Sequence, residues 1–144
     1  MKIAVIGANG FVGNAVCRDL SSRPNIELFP MTRTELDLAR PESWKQFPEV
    51  DCVIHAASRI DGNTYDIFKT NALTAKSLAE HLNNAGVKKM IYLSTGAVYG
   101  PTDEPTHPGM KCLLQRDYAV SKYLTEQETA AAFKRILYIL RLYF

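Results

Sequence analysis

No run of this 144-residue sequence is long and apolar enough to cross a bilayer, the longest being Ile136 to Leu140. Met1 leads straight into Ile3-Ala4-Val5-Ile6 with no small-residue cleavage site, so a signal peptide is not expected. An excess of one charge is missing too. Seventeen Lys and Arg stand against fifteen Asp and Glu, and the basic residues are scattered, which argues against a nucleic-acid partner. The three cysteines, Cys17, Cys52 and Cys112, form no CxxC pair and suggest no disulfide framework. His55, His81 and His107 are too dispersed for a metal site; His55 is expected beside a crevice and the other two on the surface. Repeats and low-complexity stretches are absent. What remains is 47% hydrophobic and 22% charged residues, the balance of a globular protein, here one domain spanning 1–144. A chain of this length folds without a disulfide or metal staple. Free thiols and a cytoplasmic location are the expectation.

Short runs rich in β-branched residues alternate with helical patterns. Ile3–Ile6, Ile26–Met31, Cys52–His55, Met90–Ser94 and Ile136–Leu142 read as strands, with Glu35–Leu38 as a further candidate, making about six. Helical periodicity runs through Val12, Ala15, Val16 and Leu20, then through one long segment from Asn63 to Ala85, and again from Arg116 to Phe133. Pro41 to Phe47 reads as a short helix with proline in its first turn. This alternation predicts an α/β fold with a doubly wound parallel sheet.

The first strand enters Gly7-Ala8-Asn9-Gly10-Phe11-Val12-Gly13, which opens the first helix. Backbone N–H groups and a helix dipole then meet at one spot, suited to a pyrophosphate. Gly7 is expected to make the tight turn, Gly10 to admit the phosphates and Gly13 to let helix pack on strand. Phe11 and Val12 complete the candidate loop. Where an acidic residue would mark NAD, the sequence has Thr32-Arg33-Thr34. The guanidinium of Arg33 suits a 2′-phosphate, so NADP is the expected cofactor and NAD the alternative, with nearby Glu35 weighing against NADP.

Tyr118-Ala119-Val120-Ser121-Lys122 sets a phenol and an ammonium on one helix face, where the lysine charge favours phenolate. Tyr65 and Lys69 share that spacing, so spacing alone decides nothing. Order along the chain does. Thr95 ends a strand and precedes Tyr118 by 23 residues, so that hydroxyl and phenol can converge. Tyr65 precedes that strand, has only the Ser58 region before it, and reads as packing or interface surface.

The GxxGxxG spacing, the run Ser94-Thr95-Gly96-Ala97-Val98-Tyr99-Gly100 and the Tyr118/Lys122 pair together resemble the extended short-chain dehydrogenase/reductase family of nucleotide-sugar epimerases, dehydratases and reductases. The resemblance implies a Rossmann-like fold, with Thr95, Tyr118 and Lys122 as catalytic residues. It implies that Tyr118 and Lys122 also touch the cofactor, Lys122 through the ribose. Asp37 and Leu38 would hold the adenine, Ala56 and Ala57 would line the cofactor, and Asn71 would support it. The run 32–38 is similar to that of the family's NADP(H)-using reductases. Gly96 and Ala97 stand where the family's 4,6-dehydratases carry an Asp-Glu pair, which disfavours elimination of water. The resemblance further implies a substrate domain beyond this sequence, which stops in its last strand. A truncated product or fragment is therefore expected, with Lys134, Arg135 and Arg141 guarding an edge strand. A nucleotide-sugar substrate and a homodimer through the two long helices are the implied partners. A non-catalytic dinucleotide-binding module and a fragment unable to fold alone remain the alternatives.

Overall fold

The computed structural model describes residues 1–143. Five strands form one parallel sheet: β1 (Lys2–Ile6), β2 (Glu27–Met31), β3 (Cys52–His55), β4 (Lys89–Thr95) and β5 (Ile136–Leu142). Their spatial order is β2-β1-β3-β4-β5, so the chain leaves β1 in one direction for β2 and returns across it to β3. That reversal opens a crevice at the carboxyl ends of β1 and β3, where α/β sheets bind their ligands. Side chains alternate across β1. Ile3 and Val5 pack toward Val16, Cys17 and Leu20 of α1 (Phe11–Ser21). Ala4 and Ile6 face the larger core with Leu78, Ala79 and Leu82 of α3 (Ala75–Asn84) and Phe133, which follows α4 (Asp117–Ala132). Helices thus cover both faces, and the doubly wound reading holds.

Three expectations need correction. The segment 35–38 is not a strand, and the sheet has five strands among the described residues. Leu36 and Leu38 are both buried, but in an irregular turn held by side chains. Glu35 accepts from Thr32 N at 2.8 Å, Asp37 accepts from Ala39 N at 2.9 Å, and Trp44 Nε1 donates to Asp37 O at 2.9 Å. The long helix over 63–85 is two helices, α2 (Thr64–Asn71) and α3, broken at 72–74. The Thr125 hydroxyl takes the Asn71 carbonyl at 2.5 Å, while Ala75 N turns to Ala72 O at 3.1 Å, so the regular ladder is interrupted there. His81 is not a surface residue either: its ring sits 5.9 Å from both Trp44 and Phe47. Pro41–Gln46 forms the expected short helix, as a 3-10 turn.

β5 is an edge strand, and Ile136, Tyr138 and Leu140 are exposed on it. Lys134 and Arg135 flank it, but Arg141 turns inward to a buried partner and guards nothing. Phe144 lies outside the described residues. No helix among the described residues is long and apolar enough to cross a membrane.

Candidate dinucleotide and catalytic site

A crevice of about 1000 Å³ runs along the carboxyl edge of the sheet. Its floor is the glycine turn. Gly7 adopts φ +86°, and its N–H donates to Met31 O at 2.8 Å, tying β1 to β2 where the turn begins. A Cβ at Gly7 would stand 2.6 Å from the Ala57 backbone, so no other residue fits. Gly10 N-caps α1 without a side-chain bond, and the first turn of α1 carries no acidic residue. The positive end of this helix therefore faces the crevice unneutralised by its own side chains. Gly7, Gly10, Phe11 and Val12 line the crevice; Gly13 lies buried behind it, with its α-carbon against the Gly7 backbone.

At one end stand Arg33, Asp37 and Leu38. The Arg33 side chain is exposed at the rim. Glu35 does not line the crevice: its carboxylate accepts from Thr32 N and Thr32 Oγ1, and these bonds hold it below the usual carboxylate range. Along the middle run Ala56 and Ala57, just past β3. Asn71 is buried and does not border the crevice. It clamps the wall instead, accepting from Arg59 N at 2.7 Å and donating to Arg59 O at 2.8 Å and to Ser121 Oγ at 3.0 Å.

The other end is lined by Thr95 from β4 and Tyr118 from α4. Thr95 Oγ1 accepts from Ala97 N at 3.2 Å, starting a 3-10 turn over Gly96–Tyr99. Lys122 lies behind Tyr118 and outside the lining: it is 2% exposed, its Nζ donates to Leu93 O at 2.6 Å, and it lies 4.3 Å from the centroid of the Tyr92 ring. Burial pushes its pKa down to about 7, against the upward pull of Glu126. His55, also behind the crevice, is driven down to about 3, first by burial and then by the Lys122 charge.

Sequence reasoning missed the ionic group that anchors this end. Glu126, one turn past Lys122, receives Arg141 through two bonds at 3.0 and 2.6 Å and the Ser94 hydroxyl at 2.5 Å. Arg141 Nη1 also donates to Tyr99 OH at 2.8 Å. β4, α4, β5 and the turn after Thr95 are thereby joined beneath the Thr95–Tyr118 pair. The only available signal was Glu126 on the helix face of Lys122, too common a pattern to read. Leu142 and Tyr143 line the same end and were missed too, because their placement depends on the β4/β5 register. Among the described residues no group of His, Cys, Asp and Glu could hold a metal.

Comparison with known proteins bears on the family and the fold. The sequence model described as the NAD dependent epimerase/dehydratase family matches residues 3–141. The 2-alkyl-3-oxoalkanoate reductase of Stenotrophomonas maltophilia is 28% identical over 92% of this chain and 46% of its own. GDP-L-fucose synthase 1 of Arabidopsis thaliana is 32% identical over 68% of this chain and 33% of its own. A dTDP-4-dehydrorhamnose reductase from Bacillus anthracis, solved in complex with NADP, shares the fold. Its TM-score is 0.87 at 22% identity, over 97% of this chain and 52% of that one. The chain thus spans between a third and a half of the curated relatives it matches.

Proposed function

The chain belongs to the NAD dependent epimerase/dehydratase family, and from that premise we propose that residues 1–144 form the dinucleotide-binding domain of an NADP(H)-dependent reductase or epimerase acting on a nucleotide sugar. One observation carries the reading: a single crevice is lined by the glycine turn on its floor, by Arg33 at one end and by Thr95 and Tyr118 at the other. The residues fit a dinucleotide. A Cβ at Gly10 would press to 3.3 Å on Gly7 O, so the phosphate cradle is bare backbone above a helix N-terminus. Arg33 stands at the adenosine end with Glu35 engaged elsewhere, which favours a 2′-phosphate.

When bound, the nicotinamide supplies or accepts the hydride. The chain's own residues manage the oxygen. Tyr118 gives its phenolic proton to the substrate oxygen in reduction and removes it in oxidation. Thr95 Oγ1 holds that oxygen toward Tyr118. Lys122 lies four residues along the same helix. Its Nζ is committed to Leu93 O, so contact with a ribose hydroxyl requires that bond to be exchanged.

Calorimetric titration with NADPH and NADH, repeated on Arg33→Ala, tests the reading. Tighter NADPH binding is expected in the wild type. The substitution should erase that preference, a loss of roughly tenfold to a hundredfold. Binding of neither dinucleotide overturns the proposal. The relative that covers 92% of the chain supports a second substrate class, the 3-oxoalkanoates. Parallel reductase assays with a nucleotide-sugar ketone and a 3-oxo acid decide between them. The same reading carries a homodimer through α2, α3 and α4, with Tyr65 exposed on α2, Leu73 in the break between α2 and α3, and Leu124 on α4. A monomer by sedimentation at micromolar concentration would overturn that part.

A further inference from the structure

In the parallel pairing of β4 with β5, Thr95 lies opposite Leu142, which sets Gly96 and Tyr143 side by side just beyond the two strand ends. The Tyr143 ring lies across Gly96 so closely that a methyl group built there would fall within it. Gly96 is buried, its φ is not positive, and so the requirement for glycine comes from the ring and not from the backbone. Both residues line the crevice beside Thr95 and Tyr118. Tyr143 is nevertheless 60% exposed, which leaves the rest of the ring open.

We propose that Tyr143 and Gly96 form a coupled, specificity-determining pair: the ring fills the space of a side chain at position 96 and presents a flat aromatic wall to the nicotinamide end of a bound dinucleotide. Two consequences follow. A carboxylate cannot enter at 96 while the ring is in place. The aromatic face also adds contact to the nicotinamide that the rest of the cofactor does not receive. The inference rests on the dinucleotide reading above.

The test is a double-mutant cycle of Gly96→Ala, Tyr143→Ala and both together, titrated with NADP+ and with 2′-phospho-ADP-ribose, which lacks the nicotinamide. Thermal unfolding is followed in parallel. Tyr143→Ala should weaken NADP+ by about three- to tenfold and leave 2′-phospho-ADP-ribose unchanged. Gly96→Ala should lower the unfolding temperature and weaken NADP+, and adding Tyr143→Ala should restore the unfolding temperature. Equal loss of both ligands, no loss of either, or a Gly96→Ala penalty that Tyr143→Ala does not relieve would each overturn the pair. Wild-type protein that binds neither ligand would overturn the dinucleotide reading itself, and the wall with it.

Discussion

Two tyrosine–lysine pairs in this chain share one spacing and differ in everything else. On α2, Tyr65 is 64% exposed and Lys69 Nζ rests 5.8 Å from its ring centroid, a solvated pair over a surface helix. On α4, Tyr118 borders the crevice and Lys122 is 2% exposed, bonded to β4 and stacked on Tyr92. Their ionic neighbours differ in the same way. The Arg59–Asp66 pair beside Tyr65 spans 3.5 Å with both side chains more than a third exposed, whereas Arg141–Glu126 spans 2.6 Å with the carboxylate 2% exposed. Helical spacing puts two groups on one face. Which element that face packs against decides whether they are solvated or held at the crevice.

The widest separation between the two pairs should appear in turnover. Tyr118→Phe should slow reduction by about 10²–10⁴-fold while dinucleotide binding is preserved, because only the transferable proton is lost. Tyr65→Phe should change neither. Steady-state rates and titrations on both variants check this, and near wild-type turnover in Tyr118→Phe would remove it from the catalytic role.

Stability should separate them next. Glu126→Ala leaves the partly exposed Arg141 without its carboxylate and the buried Ser94 hydroxyl without its acceptor, and should cost about 3 kcal/mol in urea unfolding, the low end for a broken buried pair. Removing the surface partner with Asp66→Ala should cost no more than about 1 kcal/mol. Similar losses in the two variants would mean that the network under Thr95 is not an anchor.

The finest contrast lies in the pH dependence. Lys122 titrates near 7 when folded and near 10.5 when unfolded, so between those values the unfolded chain binds more protons. Stability therefore rises with pH across that window, by on the order of 1 kcal/mol per pH unit from this group. Lys122→Met should flatten the rise between pH 7 and 10, and Lys69→Met should leave it unchanged. Parallel curves for wild type and Lys122→Met would show that the lysine is not desolvated in solution.

Much of the fold was legible because buried parallel strands are apolar on both faces. Ile3–Ile6 and Cys52–His55 read directly as strands, and the glycine turn between Ile6 and Phe11 located the floor of the crevice. The errors fell where side chains from distant segments intervene. Leu36 and Leu38 alternate with Glu35 and Asp37 as a half-buried strand would, yet local bonds from Thr32, Ala39 and Trp44 hold an irregular turn there. The apolar stripe from Phe68 to Leu82 is continuous in sequence, and nothing local shows that Thr125, more than fifty residues on, would take the Asn71 carbonyl. Arg141 looked like an edge charge because its partner Glu126 lies on another element.

The alternation of buried strands with helices, the glycine turn at Gly7 and the placing of Tyr118 and Lys122 on one helix were determined by the sequence alone, because each rests on periodicity or on backbone needs within a few residues. Only the tertiary structure decided that Lys122 is held behind the crevice, that Glu126 joins Ser94 to Arg141, and that the Tyr143 ring demands a glycine at 96. Those arrangements depend on strand register and on burial. Both arise only when segments tens of residues apart pack together and exclude water.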